Sequence, residues 1–189
     1  MSIAAAVVVD HPVALFWLGH MPVVNWVLAQ LADVRGLQCT VVLTRRHFAA
    51  TVRRYVEPCA VSVHELPDAL LGQEIESFVW SPSSPLANHA VVLLVQALTP
   101  FTSAASLELC LRQAKQQAQS VVVARPCQVV VGKRLQPAQE IVLQIRALHR
   151  PGVDASLTTV PVGFIESLRV VDPEQLQLAQ ALVFSGNVL

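Results

Sequence analysis

At 189 residues the chain has the length of one domain with a sizeable core, and it is read as a single unit over residues 1–189. A hydrophobic fraction of 53% against 14% charged residues excludes a disordered chain. A formal net charge of zero removes the electrostatic footprint of a nucleic-acid binder, and no apolar run approaches the ~18 residues of a membrane-spanning helix. The expectation is therefore no nucleic-acid partner and no membrane.

The first seven-residue apolar run, Ile3–Val9, reads as a strand buried on both faces rather than as a signal peptide, since no basic segment precedes it. Asp10 ends it, and a glycine-free segment His11-Pro12-Val13-Ala14-Leu15-Phe16 follows. Apolar residues at 23, 24, 27, 28 and 31 predict a helix over 23–31, with Gly36 as its stop signal. Gln38–Leu43 is a second buried strand, Arg46–Tyr55 a helix and Ala60–Val63 a short third strand. The pattern then weakens, with a short helix over Leu66–Gln73 and a loop at Ser81–Pro85, where two prolines remove donors. Ala90–Val95 is the next strand. Ser103–Gln117 is a helix capped by Thr102 or Ser103, with Leu107, Leu111 and Ala114 as its stripe. Ser120–Ala124 follows as a strand, then Val129–Val131 and Ile141–Ile145 as a pair around Gly132 to Gln139. Leu168–Val171 is a closing strand. Pro173–Val183 is a closing helix, with Asp172 as N-cap and Pro173 at N1.

Alternating buried strands and helices imply a three-layer, doubly wound, mostly parallel α/β sheet. Ligands in such sheets sit beyond the carboxyl ends of the strands. That places the site among Asp10 to His20, Thr44 to His47, Gln96 to Thr102, and Arg125 onward. A strand–loop–helix opening often binds phosphate through glycine-rich backbone and cationic side chains, and His11–Phe16 has neither. The candidate residues of a remnant cleft are Asp10, His11, His20, Gln96, Thr99 and Asp172. Each also has a plain structural role open to it, as cap, satisfied imidazole or buried hydrogen-bonding group. Lys133-Arg134, Arg146, His149 and Arg150 read as a solvated hairpin region, and Arg45-Arg46 and Arg53-Arg54 as solvated helix faces. His89 has no spaced metal-ligating partner. Ser83 and Ser84 lack the glycine context of a hydrolase elbow. Cys39, Cys59, Cys110 and Cys127 form no CxxC and are expected as buried free thiols in a reducing cytoplasm.

Three segments together resemble the nucleotidyltransferases of the GT-A type, above all the acylneuraminate and deoxy-manno-octulosonate cytidylyltransferases. Leu18-Gly19-His20-Met21-Pro22-Val23-Val24-Asn25-Trp26, leading to Val41-Val42-Leu43-Thr44, is similar to the family's L-G-x-K-P-L-I-x-W start. Val92-Leu93-Leu94-Val95-Gln96-Ala97-Leu98-Thr99-Pro100-Phe101, a helix and Ser120-Val121-Val122-Val123 are similar to V-L-L-Q-P-T-S-P-L-R, a helix and D-S-V-V-S-V. Glu166 to Ala179 resembles the closing I-D-I-D-T-P-E-D-L-x-L-A. The resemblance implies a nucleotide-diphospho-sugar transferase-like fold.

The departures fall on the chemistry. The family loop R-G-G-S-K-R-x-P-x-K wraps a triphosphate, and here it is shortened, with every Gly, Arg and Lys gone. The family Lys before Pro is Met21. Its two metal-binding Asp positions align with Leu98 and Val171, with Asp172 one residue late. Nucleotidyl transfer displaces pyrophosphate and relies on Mg²⁺ and on cationic or N–H donors at the growing charge. One such donor contributes about 3–4 kcal/mol.

Three readings follow. The first is a degenerate cytidylyltransferase-like protein without transfer activity, acting as a binding, regulatory or interaction protein, with no cofactor expected. The second is an active CTP- and Mg²⁺-dependent sugar-acid nucleotidyltransferase rebuilt around Asp10, Asp172, Glu174 and Lys133. The third is a structural module with a filled cleft and an exposed apolar surface over Val153 to Phe164. A homodimer or a protein partner, in the cytoplasm, is expected on the first.

Overall fold

In the computed structural model, which describes residues 2–67, 74–117, 120–131, 134–149, 157–163 and 165–186, the run Ile3–Val9 is the central strand β1 and every residue of it is buried. A 3₁₀ turn over Pro12–Leu15 follows. Then come the two-residue strands β2 (Trp17–Leu18) and β3 (Met21–Pro22), paired antiparallel. Helix α1 (Val23–Ala32) leads back to β4 (Cys39–Arg45), then α2 (Arg46–Val56) and β5 (Ser62–Leu66). Helix α3 (Glu74–Val79), β6 (Val91–Gln96), α4 (Ala104–Gln117), β7 (Ser120–Val131), β8 (Arg134–His149), β9 (Leu157–Pro161) and α5 (Pro173–Phe184) complete the order.

The main sheet runs β5-β4-β1-β6-β8-β7-β9. β5, β4, β1 and β6 are parallel, β8 is antiparallel to β6 and to β7, and β9 is parallel to β7. Strand alternation divides β1 between two cores. Ala5, Val7 and Val9 pack under α1, α2, α4 and α5, with Trp26, Leu31, Val52, Leu107, Leu111 and Ala179. Ala4, Ala6 and Val8 face a thinner layer made of α3 and the following turns, with Phe78, Val79 and Leu86. The mostly parallel α/β sheet flanked by helices agrees with the sequence expectation.

The differences are local. The third strand starts two residues later than expected, and Leu66 closes it rather than opening a helix. Most of the Leu66–Gln73 segment lies outside the described residues, and the helix is at Glu74–Val79. The separate strands expected at 120–124, 129–131 and 141–145 are two long strands, β7 and β8, paired from Val121↔Ala147 to Val131↔Arg134 with one irregularity between Val122 and Val123. Leu168–Val171 is irregular rather than a strand. Leu168 and Val170 are buried there, and Val170 N–H donates to Leu98 O at 2.8 Å. The last strand is instead β9. Its Val160, with Val162 just beyond, is buried, so the described part of the expected 153–164 surface contributes to the core. Cys110 is buried as expected, but Cys59 is half-buried and Cys39 exposed; the side chain of Cys127 lies outside the described residues. Among the described residues no helix is long and apolar enough to cross a membrane.

Candidate functional site

The carboxyl ends of β1, β4 and β6 lie side by side, with Val9 against Thr44 and Val8 against Gln96. Thr44, fully buried, donates its hydroxyl to Val9 O at 2.8 Å. Ala97 N–H donates to Val8 O at 2.9 Å. The irregular segment before α5 joins them through Val170 and Leu98. This is the place where an open α/β sheet holds ligands.

The opening loop is closed on itself. His11 caps the 3₁₀ turn by accepting from Val13 N–H at Nδ1, 3.3 Å away. Ala14 N–H donates to His11 O and Phe16 N–H to Val13 O. Val13 and Ala14 are buried. The small β2–β3 hairpin places Leu18 wholly inside, while Trp26 Nε1 donates to Leu18 O at 2.9 Å. Gly19, at φ +65°, makes its reversal, and a Cβ there would lie 3.1 Å from Val183 Cγ1. Phe16 and Trp17 remain exposed at its edge.

Of the predicted cleft residues, Asp10 is half-buried at the end of β1. His20 is exposed and lies with its ring 5.3 Å from that of Trp26. Thr99 is buried and donates to Gln96 O at 3.1 Å. Gln96 is half-buried, and its Oε1 has no hydrogen-bond partner among the described residues. Asp172 caps α5, accepting from Gln175 N–H at 2.8 Å, and Glu174 lies in the same first turn. The strand ends thus bring Gln96, Thr99 and Leu98 together, whereas His11 and Asp172 serve as caps. Lys133 and Arg150 lie outside the described residues. Arg146 is paired with Glu76, and burial lowers its pKa.

The residues present do not fit the Mg²⁺ that the resembling enzymes use. Leu98 is 1% exposed, Val171 carries no donor, and no three His, Cys, Asp or Glu side chains among the described residues could hold a metal ion.

Two polar groups carry no signal in the sequence. Glu166, four residues before the last buried valine of its segment, lies against the start of α4. Its carboxylate accepts from Ser103 N–H at 3.2 Å, from the hydroxyl of Ser106 at 2.8 Å, from the Ser103 hydroxyl, and from Gly163 N–H at 3.3 Å. Burial raises its pKa, but the hydrogen bonds from Ser103, Ser106 and Gly163 outweigh this and hold it below the usual carboxylate range. Of the two caps expected for α4, Ser103 fills the role, its Oγ accepting from Ser106 N–H at 3.2 Å, while Thr102 donates to Glu166 O at 2.8 Å. His89 has a neighbour as well, with Nε2 3.6 Å from Cys39 Sγ. Both contacts join residues far apart in the chain, and no local pattern announces them.

No protein-family profile matches the sequence, and no curated protein matches it. Solved structures do. A CMP:2-keto-3-deoxy-manno-octonic acid synthetase complexed with CTP superposes with a TM-score of 0.78 at 11% identity, over 98% of this chain and 100% of that one. The 4-diphosphocytidyl-2C-methyl-D-erythritol synthase of Anaerococcus prevotii gives 0.74 at 11% identity, over 97% and 96%. Another 4-diphosphocytidyl-2C-methyl-D-erythritol synthase gives 0.74 at 14%, over 96% and 98%. At these identities the likeness is one of fold, and the chain has the fold of a cytidylyltransferase-like nucleotidyltransferase.

Proposed function

We propose that this protein is a non-catalytic relative of the cytidylyltransferases in fold, acting as a binding, regulatory or interaction protein. The observation that carries the reading is the opening loop. Its backbone N–H groups at residues 13, 14 and 16 are spent within the loop itself, so they are not offered to a triphosphate. A buried Leu98 at a position where the resembling enzymes place a metal ligand supports the same reading. Transfer at an α-phosphate needs the developing charge met by cations or donors, and the segment His11–Phe16 after β1 carries no Lys or Arg.

The unmatched Gln96 Oε1 favours a small hydrogen-bonding ligand at the remnant cleft over an empty scaffold. The reading takes the protein to be cytoplasmic and to act as a homodimer or with a protein partner. Calorimetry with CTP and other nucleoside triphosphates, with and without Mg²⁺, tests it. No heat is expected for any nucleotide. Micromolar, Mg²⁺-dependent binding would instead support the rebuilt enzyme. Light scattering of the purified chain tests the dimer.

A further inference from the structure

One cavity of the described residues lies away from the carboxyl strand ends. It is a groove of about 710 Å³ between α1 and the stretch from Pro58 to Ser62. Met21, Asn25, Leu28, Ala29 and Ala32 form one wall at helical spacing. Gln38, with Cys39 and Thr40 at the start of β4, and the stretch from Pro58 to Ser62 form the rest. Cys39 and Ser62 are the first residues of parallel strands, so this wall stands at the opposite end of the sheet from the cleft above.

Three features of the groove bear on what it holds. None of its lining residues is Asp, Glu, Lys, Arg or His. The opposite wall is set by a left-handed residue that is not glycine, Ala60 at φ +53°, and such conformations collect at ligand-clamping sites. Asn25 ties the wall to α2 by donating Nδ2 to Tyr55 O at 3.1 Å, while its Oδ1 has no hydrogen-bond partner among the described residues.

We propose that this groove binds a neutral, mainly apolar small molecule carrying a hydroxyl or amide group. Its volume lies within the roughly 300–1,000 Å³ of pockets for such ligands, which are lined by apolar side chains and a few placed polar groups. Here those polar groups are Asn25, Gln38, Thr40 and Ser62. A phosphate or sugar-acid carboxylate would lose its hydration with no cation to replace it. Burial pushes the thiols of Cys39 and Cys59 up, so they too are uncharged at neutral pH. The site is independent of the nucleotide question, and its occupant would not compete with CTP.

Nile red, a neutral dye, is the probe. Titration of the full chain is expected to give saturable fluorescence at micromolar dye, weakened about tenfold in Ala29→Trp, which fills the groove from an exposed position of α1. Bound dye is also expected to slow alkylation of Cys39 and Cys59 by iodoacetamide, read by peptide mass. That readout uses the unaltered chain and remains decisive if the Trp variant does not fold. Dye that fails to saturate, or that leaves both thiols equally reactive, overturns the proposal. So does binding lost in Trp17→Ala and retained in Ala29→Trp, which would place the dye on the exposed aromatic edge of the β2–β3 hairpin.

Discussion

Helices α1 and α4 both begin at the carboxyl ends of central strands, where free N–H groups favour an anion, and they dispose of that tendency differently. α1 has Pro22 as N-cap, with no side-chain cap and no acid in its first turn; its first N–H goes to Phe16 O at 3.0 Å. α4 receives a carboxylate from 60 or more residues away, Glu166, and a side-chain amide, Gln30 Oε1, which accepts from Ala104 N–H at 3.1 Å. One start is closed by backbone and apolar cover, the other by the chain's own anion. A helix start at a strand end is therefore poor evidence of phosphate binding until its donors have been accounted for.

The comparison can be broken most severely at Leu98. Leu98→Asp restores a carboxylate where the resembling enzymes hold metal, but at a buried position without a cation. An uncompensated buried charge of this kind costs about 3–5 kcal/mol, and denaturant unfolding is expected to register a loss of that order. Near wild-type stability, or rescue by Mg²⁺, would mean that the strand ends are more open than this packing allows.

At α4, Glu166→Ala leaves Ser103 N–H without its carboxylate and is expected to cost about 1–3 kcal/mol, read as a lower melting temperature. Acid titration sharpens this. Glu166 is held below its ordinary pKa. Glu108 is lowered to about 2, chiefly by the side-chain hydrogen bond from Arg35. For both, the unfolded chain takes up protons first as pH falls. The stability they add is complete above the ordinary carboxylate range and drains away as pH drops through the folded values, toward about 2 for Glu108. Glu166→Gln is expected to flatten the acid side of the stability profile; an unchanged slope would show the carboxylate to be idle.

At α1 the effect is smaller. Trp26→Phe removes the bond from Nε1 to Leu18 O and is expected to cost about 0.5–1.5 kcal/mol. A larger loss would mean that the whole β2–β3 hairpin depends on that bond. The smallest change is a gain: Ala60→Gly relieves a left-handed residue and is expected to add about 1 kcal/mol. The same variant relaxes the groove wall, so a loss of dye affinity beside a gain in melting temperature would tie the strain to the pocket.

Most of the architecture was readable because continuous apolar runs mark strands buried on both faces. Ile3–Val9 and the caps of α4 and α5 fall where the pattern puts them, and Val91–Gln96 lies one residue beyond the expected 90–95. The β7–β8 hairpin was under-read, because polar residues such as Gln136, Gln139 and Glu140 interrupt the apolar signal while pairing, not propensity, holds the strands. Leu168–Val171 was over-read for the converse reason, since its apolar residues report burial without a ladder partner. At the site, the absence of glycine and cations after Asp10 was plain from the chain. The plug formed by Glu166, the Cys39–His89 contact and the groove beside α1 were not, because each depends on residues that only folding brings together.

The position of β1 also governs how the chain must acquire its shape. Ala4 pairs with Cys39 on one side and with Val92 on the other. As the polypeptide leaves the ribosome, the apolar run of β1 emerges well before β6, the partner on its other side. Non-local parallel pairing of this kind is slow and leaves sticky intermediates. Until β6 arrives, one side of that strand has no ladder to join.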